Sequence, residues 1–237
     1  MFNITKYEAL IKKLVSAGLE PTTNWNEKLN SNSLLLRHDI DFSIEFAHQL
    51  ALVEFQLKIY STFFFMLTSN MYNLLSVHNQ KLVKSIADMG HKVSIHFDPT
   101  VYENLDYFLY EKNVFENTFN QKIDIVSIHQ PRLFLNNNNI TLSGTPQTYH
   151  DIFFKKMKYI SDSNGRDVSP QIDKYLEEPR EIGLHLLTHP IWWTTPEKYT
   201  SGEKVDFYLK KKYKDINILA AHNCKPFSTF IKNKNKL

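Results

Sequence analysis

The sequence predicts an α/β fold built on a parallel sheet. Short apolar segments rich in β-branched and aromatic residues alternate with segments of helical periodicity, and this alternation favours a parallel sheet, either open or closed into a barrel. Several of the short segments end in polar side chains that can bind a ligand. No internal stretch has the composition of a linker, so we expect one domain over residues 1–237.

Composition and charge exclude several classes of protein. The 237 residues are 42% hydrophobic and 14% aromatic, enough to bury a full core, and a formal net charge of +3 gives no signal for nucleic-acid binding. A single cysteine, Cys224, excludes an intramolecular disulfide framework and a cysteine-rich zinc site. Charges at Lys6, Glu8 and Lys12 interrupt the N-terminal apolar residues, so we expect a cytoplasmic protein without a signal peptide or integral membrane segment.

Each predicted element has its own local signal. Residues 5–17 carry apolar side chains at helical spacing behind a possible cap at Thr5. The apolar run 33–36 leads into two acids. Too few residues separate it from Ser43 for it to form a helix, so it is predicted to be a buried strand. Ser43 can cap a helix over 44–55. The same patterns predict strands at 59–67, 92–96, 123–128, 158–160 and 182–187, and helices at 81–89, 105–119 and 204–213.

The ends of five predicted strands carry the side chains of chemical interest. These are Asp39 with Asp41, then His96, His129, Asp162 and His189. Functional sites of parallel α/β folds lie at the carboxyl ends of the strands, so residues from distant parts of the sequence are expected to converge on one rim.

Asp39 and Asp41 are two residues apart, so their carboxylates can point to the same side of a strand while His38 faces away. Two adjacent carboxylates cannot both ionise cheaply unless a cation or a proton lies between them. A divalent metal is one solution. The alternative is a structural pair that caps the following helix or pairs with Arg37.

Asp41, His96 and His129 form a candidate metal site. One carboxylate and two imidazoles suit zinc or a similar first-row metal and leave positions open for water and substrate. Each histidine could instead be a hydrogen-bonded structural residue at a strand end.

His189 could protonate a leaving group if a nearby acid keeps it charged. Trp192 and Trp193 follow it and could stack on a sugar ring or close the pocket, with burial in the core as the alternative.

In chain order these motifs resemble the polysaccharide deacetylase superfamily, the NodB-type domains of carbohydrate esterase family 4. The similarity spans about residues 33–193 and is carried by RHDID at 37–41, STFFF at 61–65, GHKVSIH at 90–96, SIHQP at 127–131 and LTHP at 187–190. The first motif, with SDS at 161–163 and LLTHP at 186–190, looks closest to the divergent WbmS-like proteins of bacterial O-antigen gene clusters.

The resemblance implies a distorted (β/α)7 barrel that removes an N-acyl group, formyl or acetyl, from an amino-sugar intermediate of surface-glycan biosynthesis. The sugar would be a small molecule, nucleotide-linked or lipid-linked, and the cofactor one divalent metal, with zinc expected. By the same resemblance, Asp39 is the base and Asp41 and His96 bind the metal. His189 is the acid that protonates the departing amine, and Asp162 orients it.

Two departures from the family pattern leave alternatives open. Thr100 stands where a second metal-binding histidine is expected, so either His129 supplies the missing imidazole or the metal is lost. Gln130 replaces an arginine that orients the base, a role that Arg37 or Arg132 could fill.

Arg37 is also a candidate for substrate binding, together with Trp192 and Trp193. A catalytically silent glycan-binding or interaction module is the main alternative, and an unrelated metal amidohydrolase is a third interpretation.

Overall fold

A computed structural model describes residues 2–25, 28–131, 139–178 and 182–234, so Arg132 lies outside the described residues. The chain divides into two compact units, residues 1–197 and 198–237. The candidate site residues named above all belong to the first unit. One catalytic domain over the whole chain stays a prediction.

The first unit is built on a parallel sheet, which confirms the predicted α/β class. The strands are β1 Glu20–Pro21, β2 Ser33–Ile40, β3 Thr62–Phe65, β4 Lys92–Phe97, β5 Val126–Ile128, β6 Lys158–Ser161 and β7 Leu184–Thr188. They run in the spatial order β5-β4-β3-β2-β7-β6, and β1 pairs in parallel with the start of β2. Every pairing between these strands is parallel, and the sheet forms a half-barrel surrounded by helices.

Helices connect these strands. In the first unit they are α1 Ile4–Ser16, α2 Ile44–Gln56, α3 Val77–Asp88, α4 Tyr107–Phe119, α5 Asp151–Phe154, α6 Ser169–Glu177 and α7 Pro190–Thr194. Short 3-10 helices lie at Pro99–Val101 and Ser163–Gly165. The second unit contains α8 Ser201–Asn223 and α9 Lys225–Lys234.

Several element boundaries differ from the sequence prediction, and local hydrogen bonds account for three of them. The cap of α1 is Asn3, whose side chain accepts a hydrogen bond from the Lys6 amide, whereas Thr5 lies inside the helix. Strand β3 is shorter than 59–67 because the Met66 amide bonds to the Tyr72 hydroxyl instead of a neighbouring strand. Helix α8 begins at a capping box of Thr200 and Glu203 and continues past residue 213 to Asn223.

The central strand β2 is buried along its whole length, including Arg37, His38 and Asp39. It pairs with β3 along one edge and with β7 along the other, and the burial of all eight of its residues shows that both of its faces are covered as well. Charged side chains in such a strand must find partners, because an unpaired buried charge is strongly destabilising.

His38 lies on the opposite face of β2 from the two acids, as the alternation of side chains along a strand predicts, and its ring nitrogens find hydrogen-bond partners there. Its ring nitrogens contact the Thr188 hydroxyl at 2.7 Å and Glu54 of α2 at 3.0 Å. Tyr7 and Ser61 also donate hydrogen bonds to Glu54. Burial alone would raise the pKa of Glu54, but His38 and the other partners outweigh this and lower it. This buried network holds α1 and α2 against the sheet.

A buried carboxyl group on α4 is less well satisfied. Glu111 is fully buried and accepts a hydrogen bond from the Tyr102 hydroxyl at 2.7 Å, while its Oε2 has no hydrogen-bond partner within the described residues. Burial raises the pKa of Glu111 to about 7. The protein therefore favours the protonated form of this side chain.

We expect Glu111→Gln to change how the free energy of unfolding depends on pH. The pKa of Glu111 rises from 4.5 to about 7 on folding, so its stabilising contribution is complete below pH 4.5 and is lost as the pH rises through 7. At about 1.4 kcal/mol per pKa unit, the variant should gain up to about 3 kcal/mol over the wild type between pH 4.5 and 8. Urea unfolding across this range measures the gain.

Glu103→Gln is the control, because it removes one carboxylate from an exposed site in the preceding loop. A stability difference between Glu111→Gln and wild type that stays constant with pH would contradict the prediction.

Candidate functional site

The carboxyl ends of β2, β4, β5, β6 and β7 bring the predicted site residues together. Asp39 is the penultimate residue of β2 and Asp41 directly follows the strand, while His96 lies near the end of β4 and His129 directly follows β5. Asp162 and His189 directly follow β6 and β7. A small pocket that is partly open to solvent lies at this rim; it is lined by Asp39, Ile40, Asp41, Phe42, Ser43, His189, Pro190 and Ile191.

Asp41, His96 and His129 form a compact cluster, as the sequence predicts. The His96 Nε2 atom lies 3.3 Å from Asp41 Oδ1 and 3.2 Å from His129 Nδ1, and His129 Nδ1 lies 3.8 Å from Asp41 Oδ1. Burial would raise the pKa of Asp41, but the imidazoles of His96 and His189 lower it. Burial, followed by the proximity of His96, lowers the pKa of His129 and favours the neutral imidazole that a metal requires.

This cluster fits a divalent metal on two grounds. Asp41 Oδ1 is buried and has no hydrogen-bond partner within the described residues, which a buried carboxylate oxygen rarely tolerates. Tetrahedral zinc with ligands at about 2.0–2.1 Å places neighbouring ligand atoms about 3.3 Å apart, close to the three separations seen here. The donor set of one oxygen and two nitrogens is also one that zinc and related ions accept.

The backbone after β5 places His129. Its amide donates to the Phe97 carbonyl oxygen at 2.8 Å, which fixes His129 beside the end of β4. Gln130 then adopts a positive φ of 47° and turns the chain away. Thr100, in the first 3-10 helix, instead donates from its amide and its hydroxyl to the carboxylate of Asp98, which caps that helix, so Thr100 takes no part in the cluster.

Asp39 is held by Arg37 from the same strand. The guanidinium donates from Nε to Oδ1 at 2.9 Å and from Nη2 to Oδ2 at 2.7 Å, and both side chains are buried. Burial would raise the pKa of Asp39, but the Arg37 charge holds it well below its usual range. The carboxylate is therefore ionised throughout the working pH range of a protein. Pairing with Arg37 was the structural alternative predicted from the sequence for these acids, and Asp39 adopts it.

Ser127 links Asp39 to His96 and was not assigned a role from the sequence. Its hydroxyl lies 2.6 Å from Arg37 Nη2, 2.8 Å from His96 Nδ1 and 3.1 Å from both Asp39 oxygens. A hydroxyl has one proton and two lone pairs, so it can accept from Arg37 and from His96 Nδ1 while donating to Asp39. This assignment leaves the lone pair of His96 Nε2 facing the metal cluster.

A second unit of the site is the pair of Asp162 and His189. Asp162 is fully buried and accepts from His189 Nδ1 at 2.6 Å, from the His189 amide at 3.0–3.1 Å and from Trp193 Nε1 at 2.8 Å. His189 Nε2 lies 3.7 Å from Asp41 Oδ2. Burial alone would lower the pKa of His189, but the Asp162 carboxylate raises it to about 9. The imidazole is thus charged at neutral pH, with Nε2 next to the cluster.

The residues predicted to bind substrate are all buried. Arg37 has no exposed surface, and Trp192 and Trp193 are 8% and 3% exposed. Trp193 packs edge-on against Phe2 and Tyr7 while it donates to Asp162, which matches the alternative that it belongs to the core. Substrate binding by these three side chains stays a prediction, and their described contacts are structural.

Comparisons with known proteins give similarity in fold. No family model matches the chain and no curated protein matches it. Among solved structures, the chain is similar to the catalytic domain of peptidoglycan N-acetylglucosamine deacetylase from Eubacterium rectale, with 14% identity, a TM-score of 0.47 and coverage of 84% of this chain and 90% of that one.

Two further solved structures have similar scores. Peptidoglycan deacetylase PdaC from Bacillus subtilis shows 13% identity and a TM-score of 0.43, with 81% of this chain and 87% of that chain covered. A CE4 family pseudoenzyme from Bacillus anthracis shows 15% identity and a TM-score of 0.43, with 81% of this chain covered; the match spans 63% of that protein's length. At these levels of similarity, a functional conclusion depends on the side chains described above.

We expect the purified protein to bind close to one equivalent of Zn²⁺ or Co²⁺ and His129→Ala to lose it. The substitution removes one of three donors, so affinity should fall by more than the 10–100-fold typical of losing an outer hydrogen-bond partner. Metal analysis after dialysis, with isothermal titration of the metal-free protein, measures both quantities.

His78→Ala is the matched control, because it removes an exposed imidazole on α3 far from the cluster in sequence. Equal metal content in His129→Ala and His78→Ala would show that His129 is not a ligand.

Proposed function

We propose that this protein is a metal-dependent hydrolase of the polysaccharide deacetylase superfamily that removes an N-acyl group from an amino sugar. The observation that carries the proposal is the convergence, at one rim, of a three-donor metal cluster with an ionised carboxylate on one side and a charged histidine on the other. Amide hydrolysis needs an activated water and a proton donor for a poor leaving group. The two flanking groups match these two needs.

Asp41, His96 and His129 are the residues that would hold the cation, and a divalent ion there supplies the Lewis acidity that amide hydrolysis requires at neutral pH. Asp39 lines the same pocket in its ionised form. Its carboxylate carries no proton and can receive one from the attacking water, and the Arg37 charge that keeps it ionised also weakens it as a base. Arg37 and Ser127 hold its carboxylate in place, so we assign them positioning roles.

His189 has the opposite task. Its Nδ1 is bound to Asp162, so the proton on Nε2 faces the pocket and can pass to the departing amine. Asp162 receives three other fixed donor contacts and cannot turn away, which keeps the imidazole in one orientation. Asp162 is thus a positioning residue.

The order of the motifs supports the choice of substrate. Their resemblance to NodB-type domains favours an amino sugar, and the small pocket favours a formyl or acetyl group. The likeness of the first and last motifs to WbmS-like proteins favours a nucleotide-linked or lipid-linked intermediate of O-antigen synthesis, with Zn²⁺ as the expected ion. Cytoplasmic location is part of this proposal.

A second candidate is a catalytically silent glycan-binding module. It is favoured by Thr100 in the place of the expected ligand and by Gln130 in the place of the expected arginine. The cluster formed with His129 and the pair formed with Arg37 compensate for both changes within this chain, so hydrolysis is the stronger proposal.

We expect release of acetate or formate from a panel of N-acetyl and N-formyl amino sugars by the metal-loaded protein. His189→Gln should lower kcat by about 10²–10⁴-fold while retaining metal, because it removes a proton donor and leaves Asp41, His96 and His129 in place. His48→Gln, at a histidine on α2 that bonds to Ser85, is the control. Full metal occupancy with no turnover of any sugar would instead favour the silent module.

Asp39→Asn tests the base. Turnover should fall by a similar factor with metal retained, but the variant also leaves the buried Arg37 charge unpaired, which costs about 3–5 kcal/mol of stability. The double variant Arg37→Gln with Asp39→Asn removes both charges and should recover stability without recovering turnover. Substantial activity in either protein would exclude Asp39 as the base.

A further inference from the structure

The C-terminal helical unit, residues 198–237, has a charge unlike that of the rest of the chain. It contains ten lysines, no arginine and three acidic residues, whereas residues 1–197 contain 18 basic and 22 acidic residues. The modest net charge of +3 for the whole protein therefore hides a basic unit attached to an acidic one. Such asymmetry indicates an anionic partner for the basic part.

Helix α8 also exposes large apolar side chains. Leu209, Tyr213, Ile216, Ile218 and Leu219 are 47%, 71%, 51%, 59% and 62% exposed. At 100° per residue all of these except Ile218 fall within about 120° of one another on one face of the helix, and Ile218 lies on the opposite face. Lys212 lies within this stripe, and Lys210 lies about 60° beyond its edge at Tyr213, where it pairs with Asp206 at 2.7 Å.

Helix α9 repeats the pattern on a smaller scale. Phe227, Phe230 and Ile231 follow helical spacing, and the first two rings stack at 6.3 Å with Phe230 60% exposed. Lys225 and Lys232 are exposed near them. Within the described residues no helix is long and apolar enough to cross a membrane, so neither α8 nor α9 could be a spanning segment.

We propose that the lysine-flanked apolar faces of α8 and α9 bind the surface of an anionic lipid bilayer. Lysines beside an apolar stripe can extend their ammonium groups to lipid phosphates while the apolar side chains enter the interface. Both halves of this arrangement are needed: the charge attracts the unit to the surface, and the apolar side chains hold it there.

Two other partners fit the same residues less well. A nucleic acid would contact the lysines, but its binding would gain no free energy from burying Leu209, Ile216 and Phe230. A second copy of the chain could cover the apolar face, but it would bring a second set of ten lysines close to the first. The combination of apolar exposure and like charge therefore favours an anionic lipid surface. The inference does not depend on the proposed hydrolysis.

Co-sedimentation of the full-length protein with vesicles tests the inference. Binding is expected to vesicles of phosphatidylcholine containing phosphatidylglycerol and not to phosphatidylcholine alone, and it should weaken at high salt. Lys212→Gln with Lys214→Gln and Lys225→Gln should weaken binding on the order of 100-fold, since each lysine near a surface is worth about 5-fold. Tyr213→Ser with Ile216→Ser and Phe230→Ser should also weaken it.

Lys58→Gln with Lys81→Gln and Lys84→Gln is the matched control, because it removes the same charge from exposed positions of the first unit. Circular dichroism shows whether each variant keeps its helices. The inference is overturned if the control loses binding equally, if the apolar variant binds like wild type, or if duplex DNA binds as tightly as the vesicles. It is also overturned if the apolar variant changes only the oligomeric state.

Discussion

The buried ion pair between Arg37 and Asp39 is the constraint on which the rest of the site depends. Both side chains come from the central strand, which has neighbours on both sides and no exposed residue. Neither charge could be buried there alone, and together they still require further donors and acceptors. Ser127 and Tyr149 contact Arg37 Nη2, and the Tyr149 ring lies 4.7 Å from the guanidinium carbon, while Nη1 has no hydrogen-bond partner within the described residues. The pair therefore ties β2 to β5 and to the loop before α5.

The same ion pair helps to position the metal cluster. Ser127 links Arg37 to His96, and when its hydroxyl donates to Asp39 it accepts from His96 Nδ1 and leaves Nε2 free. On the far side of the pocket, Asp162 accepts from His189 Nδ1. His96 and His189 thus each have one ring nitrogen bonded to the protein and the other directed at the site.

Much of this arrangement could be predicted from the sequence because it depends on alternation and on strand ends. The period of two along β2 separates His38 from Asp39 and Asp41, and the carboxyl ends of parallel strands converge whatever the loops between them do. The predicted replacement of the Thr100 position by His129 is consistent with the cluster that the structure shows. Ser127 was missed, although its place two residues before His129 puts it on the same face of β5. The full burial of Arg37 was also missed, and burial of Trp193 was predicted only as the alternative to sugar stacking, because a sequence pattern does not show how many elements cover a side chain.

The source of the three metal donors has a consequence for folding. Asp41, His96 and His129 follow or end three different strands, so no two of them come from a single loop or a single helical turn. An ion bound to all three would act as a cross-link between segments that are far apart in the chain, and its binding free energy would add directly to the stability of the native topology. A site that draws its ligands from one loop can form before the sheet does. This one can form only after β2, β3, β4 and β5 have paired, so occupancy by a metal would report that this part of the sheet is assembled.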